Sequence, residues 1–179
     1  MSSSASTDSA DGVAGDPNPA PVRRWAIVLP AAALVLLLDQ LSKWWAVERL
    51  RGSEPIDVIW TLRFNYAENT GMAFSAGAGR GWLIGIVATG IVVALLVVSR
   101  RVTSRLQLVL IGIVVGGALG NVVDRLSRAR DGFMSGAVVD FIDLQWWPIF
   151  NVADAAVVVG GILLAVTMVM EPDGVTGPG

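Results

Sequence analysis

Four long apolar segments constrain this chain more than any other feature of its sequence. They lie at about residues 25–46, 82–98, 106–123 and 149–170. At about 1.5 Å per residue, each extends roughly 25–33 Å, close to the thickness of the hydrocarbon core of a bilayer. Only helices and closed barrels satisfy their backbone in lipid, and continuous apolar runs of this kind are helical. The sequence therefore predicts an all-α membrane protein with four transmembrane helices.

The composition narrows the chemistry that such a protein can perform. The chain is 54% hydrophobic with a mean hydropathy of +0.63, which is too apolar for an ordinary soluble domain. It contains no histidine and no cysteine, so Ser–His and Cys–His nucleophiles and His- or Cys-ligated metals are excluded. Carboxylates are the natural candidates for any bond-breaking chemistry. We expect no metal, no organic cofactor and no nucleic-acid partner.

The chain termini and the first long connection differ from the four spans. Residues 1–22 are rich in Ser, Ala, Gly, Asp and Pro, which predicts a disordered tail. Residues 171–179 are interpreted as a short C-terminal tail, and residues 23–170 as one four-helix membrane domain. Over residues 58–66, large apolar residues alternate with others. This pattern predicts a β-strand with one apolar face, lying on the membrane surface.

Glycines and tryptophans have predicted roles in helix packing and membrane anchoring. Gly112, Gly116 and Gly120 follow a four-residue spacing in the third span, and Gly160 and Gly161 interrupt the fourth. Small residues let helices in a membrane approach each other closely. Tryptophan is enriched at the membrane–water interface, and on this ground we assign five residues to an interfacial belt: Trp44, Trp45, Trp82, Trp146 and Trp147.

Nearly all polar residues in or beside the spans are predicted to lie at one face of the membrane. Because spans alternate in direction, the connections after the first and third spans share a face. The polar residues near that face are Asp39, Lys43, the segment 69–75, Asn121, Asp124, Arg125, Asp140, Asn151 and Asp154. A carboxylate inside an apolar span is costly and marks a functional site by default. The gathering therefore predicts a site at this face.

Arginine density predicts the orientation. Five arginines lie beside the first span or in the short loop before the third: Arg23, Arg24, Arg100, Arg101 and Arg105. The opposite face contains more, so a raw count mildly contradicts the positive-inside rule. Short loops and the flank of the first span weigh more heavily, which favours cytoplasmic termini and an extracytoplasmic site.

The spacing of individual polar residues leaves several alternatives open. Asp39 and Lys43 are four apart on one helix face and are interpreted as a structural ion pair. Asn121 and Asp124 are three apart, and either an interfacial cap or a substrate-facing role fits them equally. Pattern alone gives weak grounds for preferring Asp140 to Asp143, which strand alternation would send to opposite faces. A Ser75–Lys43 dyad is less favoured, because Lys43 has a nearer partner.

Two carboxylates at a water-accessible pocket would explain this gathering. Like charges a few ångströms apart share one proton, so one carboxylate takes a proton from water while the other protonates a carbonyl oxygen. A proton-coupled transporter using Asp39, Asp124 and Asp154 is the main competing hypothesis. The second span contains no charged residue, which argues against a polar pathway through the membrane. A non-enzymatic membrane scaffold, the third hypothesis, does not explain why the polar residues lie at one face of the membrane.

Five separated motifs in the chain resemble those of one known family. They are DQLSK at 39–43, NTGMAF at 69–74, GALGNVVDR at 117–125, VVDF at 138–141 and FNVADA at 150–155. These five motifs occur in this order on four spans. Over about residues 27–170 the chain therefore resembles the lipoprotein signal peptidases, which are also called bacterial signal peptidase II. The resemblance implies an aspartyl endopeptidase of the bacterial cytoplasmic membrane. It removes the signal peptide from diacylglyceryl-modified prolipoproteins, cutting N-terminal to the lipidated cysteine.

The resemblance also implies roles for individual residues. Asp140 and Asp154 match the catalytic pair, which selects Asp140 over Asp143. Residues matching the substrate pocket are Asn69, Asn121, Arg125 and Asn151, and residues matching its supports are Asp39, Lys43, Gly71, Gly117 and Asp124. The family implies cytoplasmic termini, a small extracytoplasmic β-sheet and a short surface helix, and we expect a monomer in contact with membrane lipid. The connection 126–139 is longer than usual for the family, so Arg128, Arg130 and Asp131 are assigned no role.

Overall fold

The computed structural model describes residues 23–71, 81–129 and 132–170. The tails predicted at residues 1–22 and 171–179, and also Ser75, Arg130 and Asp131, lie outside these residues. The elements are α1 (Trp25–Leu50), β1 (Ile56–Ile59), β2 (Leu62–Asn69), α2 (Gly81–Val98), α3 (Arg105–Ser127), β3 (Val138–Asp143) and α4 (Val152–Met170). In the described ranges no further α-helix accompanies these four, and the short surface helix implied by the family is not among them.

The four predicted spans are confirmed as helices long and apolar enough to cross a membrane. The central helix is α3, because 67% of its most apolar stretch is buried inside the protein, against 17% in each of the other three. The remaining helices surround α3 and expose their apolar side chains. Without a lipid environment so much exposed apolar surface would be unfavourable. The protein is therefore a multi-pass membrane protein.

Two hydrogen bonds establish which helix ends lie together. Arg24 Nε donates to the carbonyl oxygen of Val102 over 3.0 Å, which joins the start of α1 to the α2–α3 connection. Gln107 Nε2 donates to the carbonyl oxygen of Thr167 over 3.3 Å, which joins the start of α3 to the end of α4. We call this side of the bundle the arginine end. The three strands lie at the other side, the sheet end.

The predicted glycine contacts are present between α3 and its neighbours. A Cβ atom on Gly112 would lie 2.7 Å from the Cβ of Ala31, and one on Gly116 would lie 2.9 Å from the Cβ of Val35, both on α1. A Cβ on Gly160 would lie 3.0 Å from a methyl carbon of Val114 on α3. Gly161 differs, since nothing lies within 4 Å of its Cβ position. Glycine thus allows α1 and α4 to approach α3 closely.

The single strand predicted over residues 58–66 is wrong, because this segment forms a hairpin. Ile59 pairs with Leu62, so Trp60 and Thr61 form a two-residue turn between β1 and β2. Trp60 has a φ of +52°, a left-handed conformation that hairpin turns require and that glycine or asparagine normally supplies. With neither residue at the turn, the alternating pattern continued through it. β3 completes an antiparallel sheet of order β1-β2-β3.

Aromatic packing attaches the sheet to the end of α1. The ring of Trp45 lies 5.2 Å from that of Phe64 on β2 and 6.2 Å from that of Phe141 on β3, both in edge-to-face arrangements. Trp45 is therefore half-buried in a packed cluster, and its assignment to the interfacial belt stays a prediction. The other four tryptophans assigned to the belt are exposed. The sheet is thus held at the level of the helix ends.

We predict that Gly116→Ala destabilises the bundle, whereas Gly161→Ala does not. The new Cβ at position 116 would meet the backbone of Ala32 as well as Val35, and overpacking of this kind costs roughly 1–3 kcal/mol. Position 161 is open, so alanine there keeps or slightly raises helix stability. Thermal unfolding in detergent measures both. Equal melting temperatures for the two variants would contradict the packing of α3 on α1.

Candidate active site

The polar residues at the sheet end are arranged around the buried ammonium group of Lys43. Its Nζ lies 2.8 Å from Oδ2 of Asp39 and 3.2 Å from Oδ2 of Asp124, and it donates to Oδ1 of Asn121 over 2.9 Å. Lys43 is 1% exposed and both carboxylates are equally buried. The predicted Asp39–Lys43 ion pair is thus present, as part of a larger cluster. Three contacts engage all three donor hydrogens of the ammonium group.

The two carboxylates of this cluster also bind backbone from other elements. Oδ1 of Asp39 accepts a hydrogen bond from the amide of Ala153, in the first turn of α4, over 2.9 Å. Oδ2 of Asp124 accepts one from the amide of Val139, in β3, over 3.1 Å. The Asp124 side chain therefore contacts Lys43 and the backbone of β3. The cluster joins α1, α3, β3 and α4.

Asn151 and Asp154 form a reciprocal cap at the start of α4. The amide of Asp154 donates to Oδ1 of Asn151 over 2.9 Å, and the amide of Asn151 donates to Oδ2 of Asp154 over 3.2 Å. This is the pattern of a capping box, in which two backbone donors at a helix start are satisfied together. The three-residue spacing seen in the sequence therefore has a local structural cause. It also orients the Asp154 carboxylate.

Asparagine side chains connect the two predicted catalytic aspartates. Nδ2 of Asn151 donates to Oδ1 of Asp140 over 2.7 Å, while the backbone amide of the same residue binds Asp154. Nδ2 of Asn121 donates to Oδ1 of Asp154 over 2.8 Å, and Nδ2 of Asn69 donates to Oδ2 of Asp140 over 3.1 Å. The structure thus brings together both aspartates and three of the four predicted pocket residues.

Asp140 and Asp143 lie on the same strand but in opposite electrostatic surroundings. Burial raises the pKa of Asp140, and the negative charge of Asp154 raises it further, to about 6. Asp143 binds Nε of Arg63 over 2.7 Å and Nδ2 of Asn65 over 3.2 Å. Burial opposes ionisation of Asp143, but these hydrogen bonds outweigh it and hold its pKa below the usual range. Asp140 therefore shares the site with Asp154, whereas Asp143 binds β2.

A cavity of about 260 Å³ is lined by one of the two aspartates, Asp154. Its polar end contains Asn69, Asn121, Arg125 and Asp154. Its remaining wall is mostly apolar and includes Ile84, Ala88, Ile91, Val114, Ala118, Val157 and Val158. A second cleft of about 310 Å³ contains Asp140, Pro148 and Ile149, and Asn69 lines both spaces. The aspartate site thus lies between an apolar cavity and a separate cleft.

Arg125 is buried beside this cavity and is confined by small residues. Its Nη1 donates to the carbonyl oxygen of Gly136 over 3.4 Å. A Cβ on Gly81 would lie 2.7 Å from the same nitrogen, and a Cβ on Gly85 would lie 3.4 Å from its Cδ. The guanidinium group interacts electrostatically with Asp140 and Asp154. Arg125 therefore supplies positive charge to the site.

Two predicted supporting glycines have direct structural reasons. Gly71 has a φ of +94°, and its amide donates to Oδ1 of Asn69 over 3.0 Å, which orients that side chain. A Cβ on Gly117 would lie 2.6 Å from the carbonyl oxygen of Ala153, so glycine lets α3 contact the start of α4. Both positions thus affect the site through backbone geometry.

Sequence reasoning missed Gln40 and Gly136. Nε2 of Gln40 donates to Oδ2 of Asp39 and to the carbonyl oxygen of Gly120, each over 3.2 Å, and its position next to Asp39 was the available signal. The amide of Gly136 donates to the carbonyl oxygen of Arg125 over 3.1 Å, so the long 126–139 connection folds back onto α3. Within the described ranges, no group of three or more acidic side chains is placed to hold a metal ion.

Comparisons with known proteins agree with this architecture. A family model described as signal peptidase (SPase) II matches residues 31–170. The chain is 43% identical over 170 residues to the lipoprotein signal peptidase of Mycobacterium tuberculosis, covering 94% of this chain and 83% of the relative. It is 42% identical over 158 residues to the lipoprotein signal peptidase of Mycobacterium avium, covering 88% of this chain and 86% of the relative.

Two solved structures are similar as well. One is a bacterial membrane enzyme determined by the in meso method at 1.9 Å resolution, with a TM-score of 0.68, 27% identity, and coverage of 80% of this chain and 92% of that one. The other is a bacterial membrane enzyme determined by the in meso method at 2.3 Å resolution, with a TM-score of 0.67 and 25% identity. The match covers 86% of this chain and 94% of that one. Fold and site together define a multi-pass membrane protein with paired carboxylates at one end of its helices. The chain belongs to the signal peptidase II family and is accordingly a peptidase.

We predict that Lys43→Met destabilises the protein by about 3–5 kcal/mol, because it leaves Asp39 and Asp124 buried without their cation. The matched control is Arg51→Gln, which breaks the Arg51–Glu68 pair of 3.0 Å, whose side chains are 53% and 44% exposed. Removing that pair should cost no more than about 1 kcal/mol. Chemical or thermal unfolding in detergent measures both. Equal losses of stability in the two variants would show that the buried cluster contributes no more to stability than the exposed ion pair.

We predict that the stability of Asp140→Asn relative to wild type depends on pH. The pKa of Asp140 rises from 3.8 to about 6 on folding. Ionisation of Asp140 therefore lowers the stability of the native protein, and below about pH 4 none of this stability is lost. The loss accumulates up to about pH 6 and amounts to about 3 kcal/mol, since one pKa unit is about 1.4 kcal/mol. Between pH 4 and pH 7 the melting temperature of the asparagine variant should therefore rise relative to that of wild type.

Asp143→Asn is the control for this pH dependence. The pKa of Asp143 is lowered in the native protein, so its stabilising contribution is lost only as the pH falls below about 4. The difference between this variant and wild type should stay constant between pH 5 and pH 7. Parallel pH curves for Asp140→Asn and wild type would rule out the predicted environment of Asp140.

Proposed function

We propose that this protein is an aspartic endopeptidase that removes the signal peptide from diacylglyceryl-modified prolipoproteins, cutting N-terminal to the lipidated cysteine. The observation that carries the proposal is that one residue, Asn151, hydrogen-bonds to both Asp140 and Asp154 beside an apolar cavity. Membership of the signal peptidase II family supports signal-peptide removal, and the names of the relatives support prolipoproteins as substrates.

The aspartate pair supports peptide hydrolysis by general acid–base catalysis. We assign the proton that the pair shares to Asp140, because burial and the charge of Asp154 raise its pKa to about 6 and the acid form is populated near and below that pH. Asp154 is then the carboxylate that takes a proton from water. The water oxygen attacks the peptide carbonyl carbon while Asp140 protonates the carbonyl oxygen. When the tetrahedral intermediate breaks its C–N bond, the proton held by Asp154 passes to the departing amine. At the same time one hydroxyl group of the intermediate returns a proton to Asp140, which leaves the new C-terminal carboxylic acid. Both aspartates then return to their starting state.

The position of the cavity suits a substrate that remains in the bilayer. Among the helices and strands of the described residues, α2 packs only against α3, so the cavity between α2 and α4 faces lipid. The apolar wall formed by Ile84, Ile91 and Val157 suits acyl chains or an apolar signal peptide. Asn69, Asn121 and Arg125 at its polar end suit hydrogen bonding to the peptide around the scissile bond.

The charge distribution supports cytoplasmic termini and an extracytoplasmic site. The arginine end contains Arg23, Arg24, Arg100, Arg101 and Arg105 close to the helix ends. Positive charge of this density near short loops favours the cytoplasm. The sheet end, with the aspartates, then faces outward, where the lipidated cysteine of an exported prolipoprotein lies. The peptidase domain comprises residues 23–170.

The decisive experiment uses the purified protein in nanodiscs with a diacylglyceryl-modified prolipoprotein and follows cleavage by gel shift. We predict that Asp140→Asn and Asp154→Asn each lose at least about 100-fold in rate, since a positioned acid or base contributes roughly 10²–10⁴-fold. Asp143→Asn, on the same strand but bound to Arg63, should retain most of the activity. Sequencing of the released product tests the cleavage position.

Two controls make the result interpretable. Unlipidated prolipoprotein should not be cut, because its cysteine has no acyl chains for the apolar cavity. Thermal unfolding of each variant distinguishes lost chemistry from lost structure. Normal cleavage by well-folded Asp140→Asn or Asp154→Asn would refute the catalytic assignment, and cleavage of both substrates at equal rates would refute the lipid requirement.

A further inference from the structure

A further cavity, different from the two spaces beside the aspartates, lies at the arginine end. The proposed peptidase chemistry does not use it. Its volume is about 400 Å³, and it is lined by Arg23, Arg24, Trp25, Ala26, Ser99 and Arg100. The first four residues lie at the start of α1, and the last two follow the end of α2. The cavity therefore spans two helices that are not in direct contact.

The lining of this cavity is strongly cationic. It contains three arginines and no acidic residue, and none of the three forms an ion pair with another described residue. Arg24 is held in place through its Nε, which binds the carbonyl oxygen of Val102, and no described residue accepts a hydrogen bond from its other four N–H donors. The start of α1 has no acidic residue in its first turn. The positive end of its helix dipole therefore adds to the same potential.

Exposed apolar residues continue from this cationic cavity along α1 and α2. Trp25 is 43% exposed, and Leu29, one turn further along the same face of α1, is 56% exposed. On α2, Val97 is 55% exposed and lies one turn before Arg100, whose amide it binds. A soluble anion would use only the arginines. A molecule with an anionic head and apolar chains would use both surfaces.

We propose that this cavity binds the phosphodiester headgroup of an anionic phospholipid, with an acyl chain lying along Leu29 and Val97. Basic pockets between transmembrane helices are a recurrent form of headgroup site, and arginine forms paired hydrogen bonds with phosphate oxygens. By contacting α1 and α2 together, the lipid would link two helices that otherwise meet only through α3. This site is independent of the proposed peptidase function.

The test measures lipid binding to the full-length protein by native mass spectrometry from a neutral detergent. Phosphatidylglycerol and phosphatidylcholine with the same acyl chains are titrated separately. We expect phosphatidylglycerol to bind at least about tenfold more tightly, since arginines near a surface favour anionic lipid. Equal affinities for the two lipids would overturn the proposal.

Two double variants remove equal charge from the same end of the protein. Arg23→Gln/Arg100→Gln alters the lining, whereas Arg101→Gln/Arg105→Gln alters exposed residues outside it. Arg24 is left intact because of its structural bond to Val102. We expect the lining variant to lose about tenfold or more in affinity for phosphatidylglycerol and the control variant less than about threefold. Equal losses in both would show general electrostatic attraction and overturn the site.

A competition arm distinguishes a lipid headgroup from free phosphate. Inorganic phosphate is added to the complex of wild-type protein and phosphatidylglycerol. We expect displacement only at phosphate concentrations far above that of the lipid, because phosphate lacks the apolar contacts. Displacement at equal concentrations would overturn the assignment to lipid. No step measures cleavage, so the outcome does not depend on whether the protein is the proposed peptidase.

Discussion

The buried positive charge of Lys43 is the constraint on which the rest of this structure depends. An ammonium group inside a membrane bundle loses its hydration, and this cost is offset only if partners surround it. Here each partner has a second task. Asp39 binds the first turn of α4, Asp124 binds the backbone of β3, and Asn121 binds Asp154. One cation therefore sets the relative positions of the elements that supply both predicted catalytic aspartates.

The two aspartates differ because these elements present them to different surroundings. Asp140 comes from a strand buried against α1 and α3, and little solvent reaches its carboxylate, which is 2% exposed. Asp154 comes from the first turn of a helix, where backbone amides favour negative charge, and it lines the apolar cavity. A strand and a helix start are thus combined into a pair of carboxyl groups whose surroundings differ.

The parts of this fold that sequence could predict are those with local causes. Four spans follow from apolar length, the Asp39–Lys43 pair from helical spacing, and the α3 contacts from glycine spacing. The hairpin was missed because Trp60 adopts a positive φ without the usual glycine. The packing of Trp45 on Phe64 and Phe141 could not be predicted, because it depends on a sheet formed by distant strands. For the same reason, pattern alone left Asp140 and Asp143 undecided, and motif resemblance supplied the choice.

The bundle also separates two kinds of access to its sheet end. The cavity that contains Asp154 lies between α2, α3 and α4, whereas the cleft that contains Asp140 adjoins the loop at Pro148 and Ile149. For the proposed substrate, water and the exported chain would arrive from outside the membrane, whereas the lipid-anchored segment would stay within it. A carboxylate pair that borders both spaces is placed to act on a bond held at the boundary. Asn69, which lines both spaces and binds Asp140, marks that boundary within the protein.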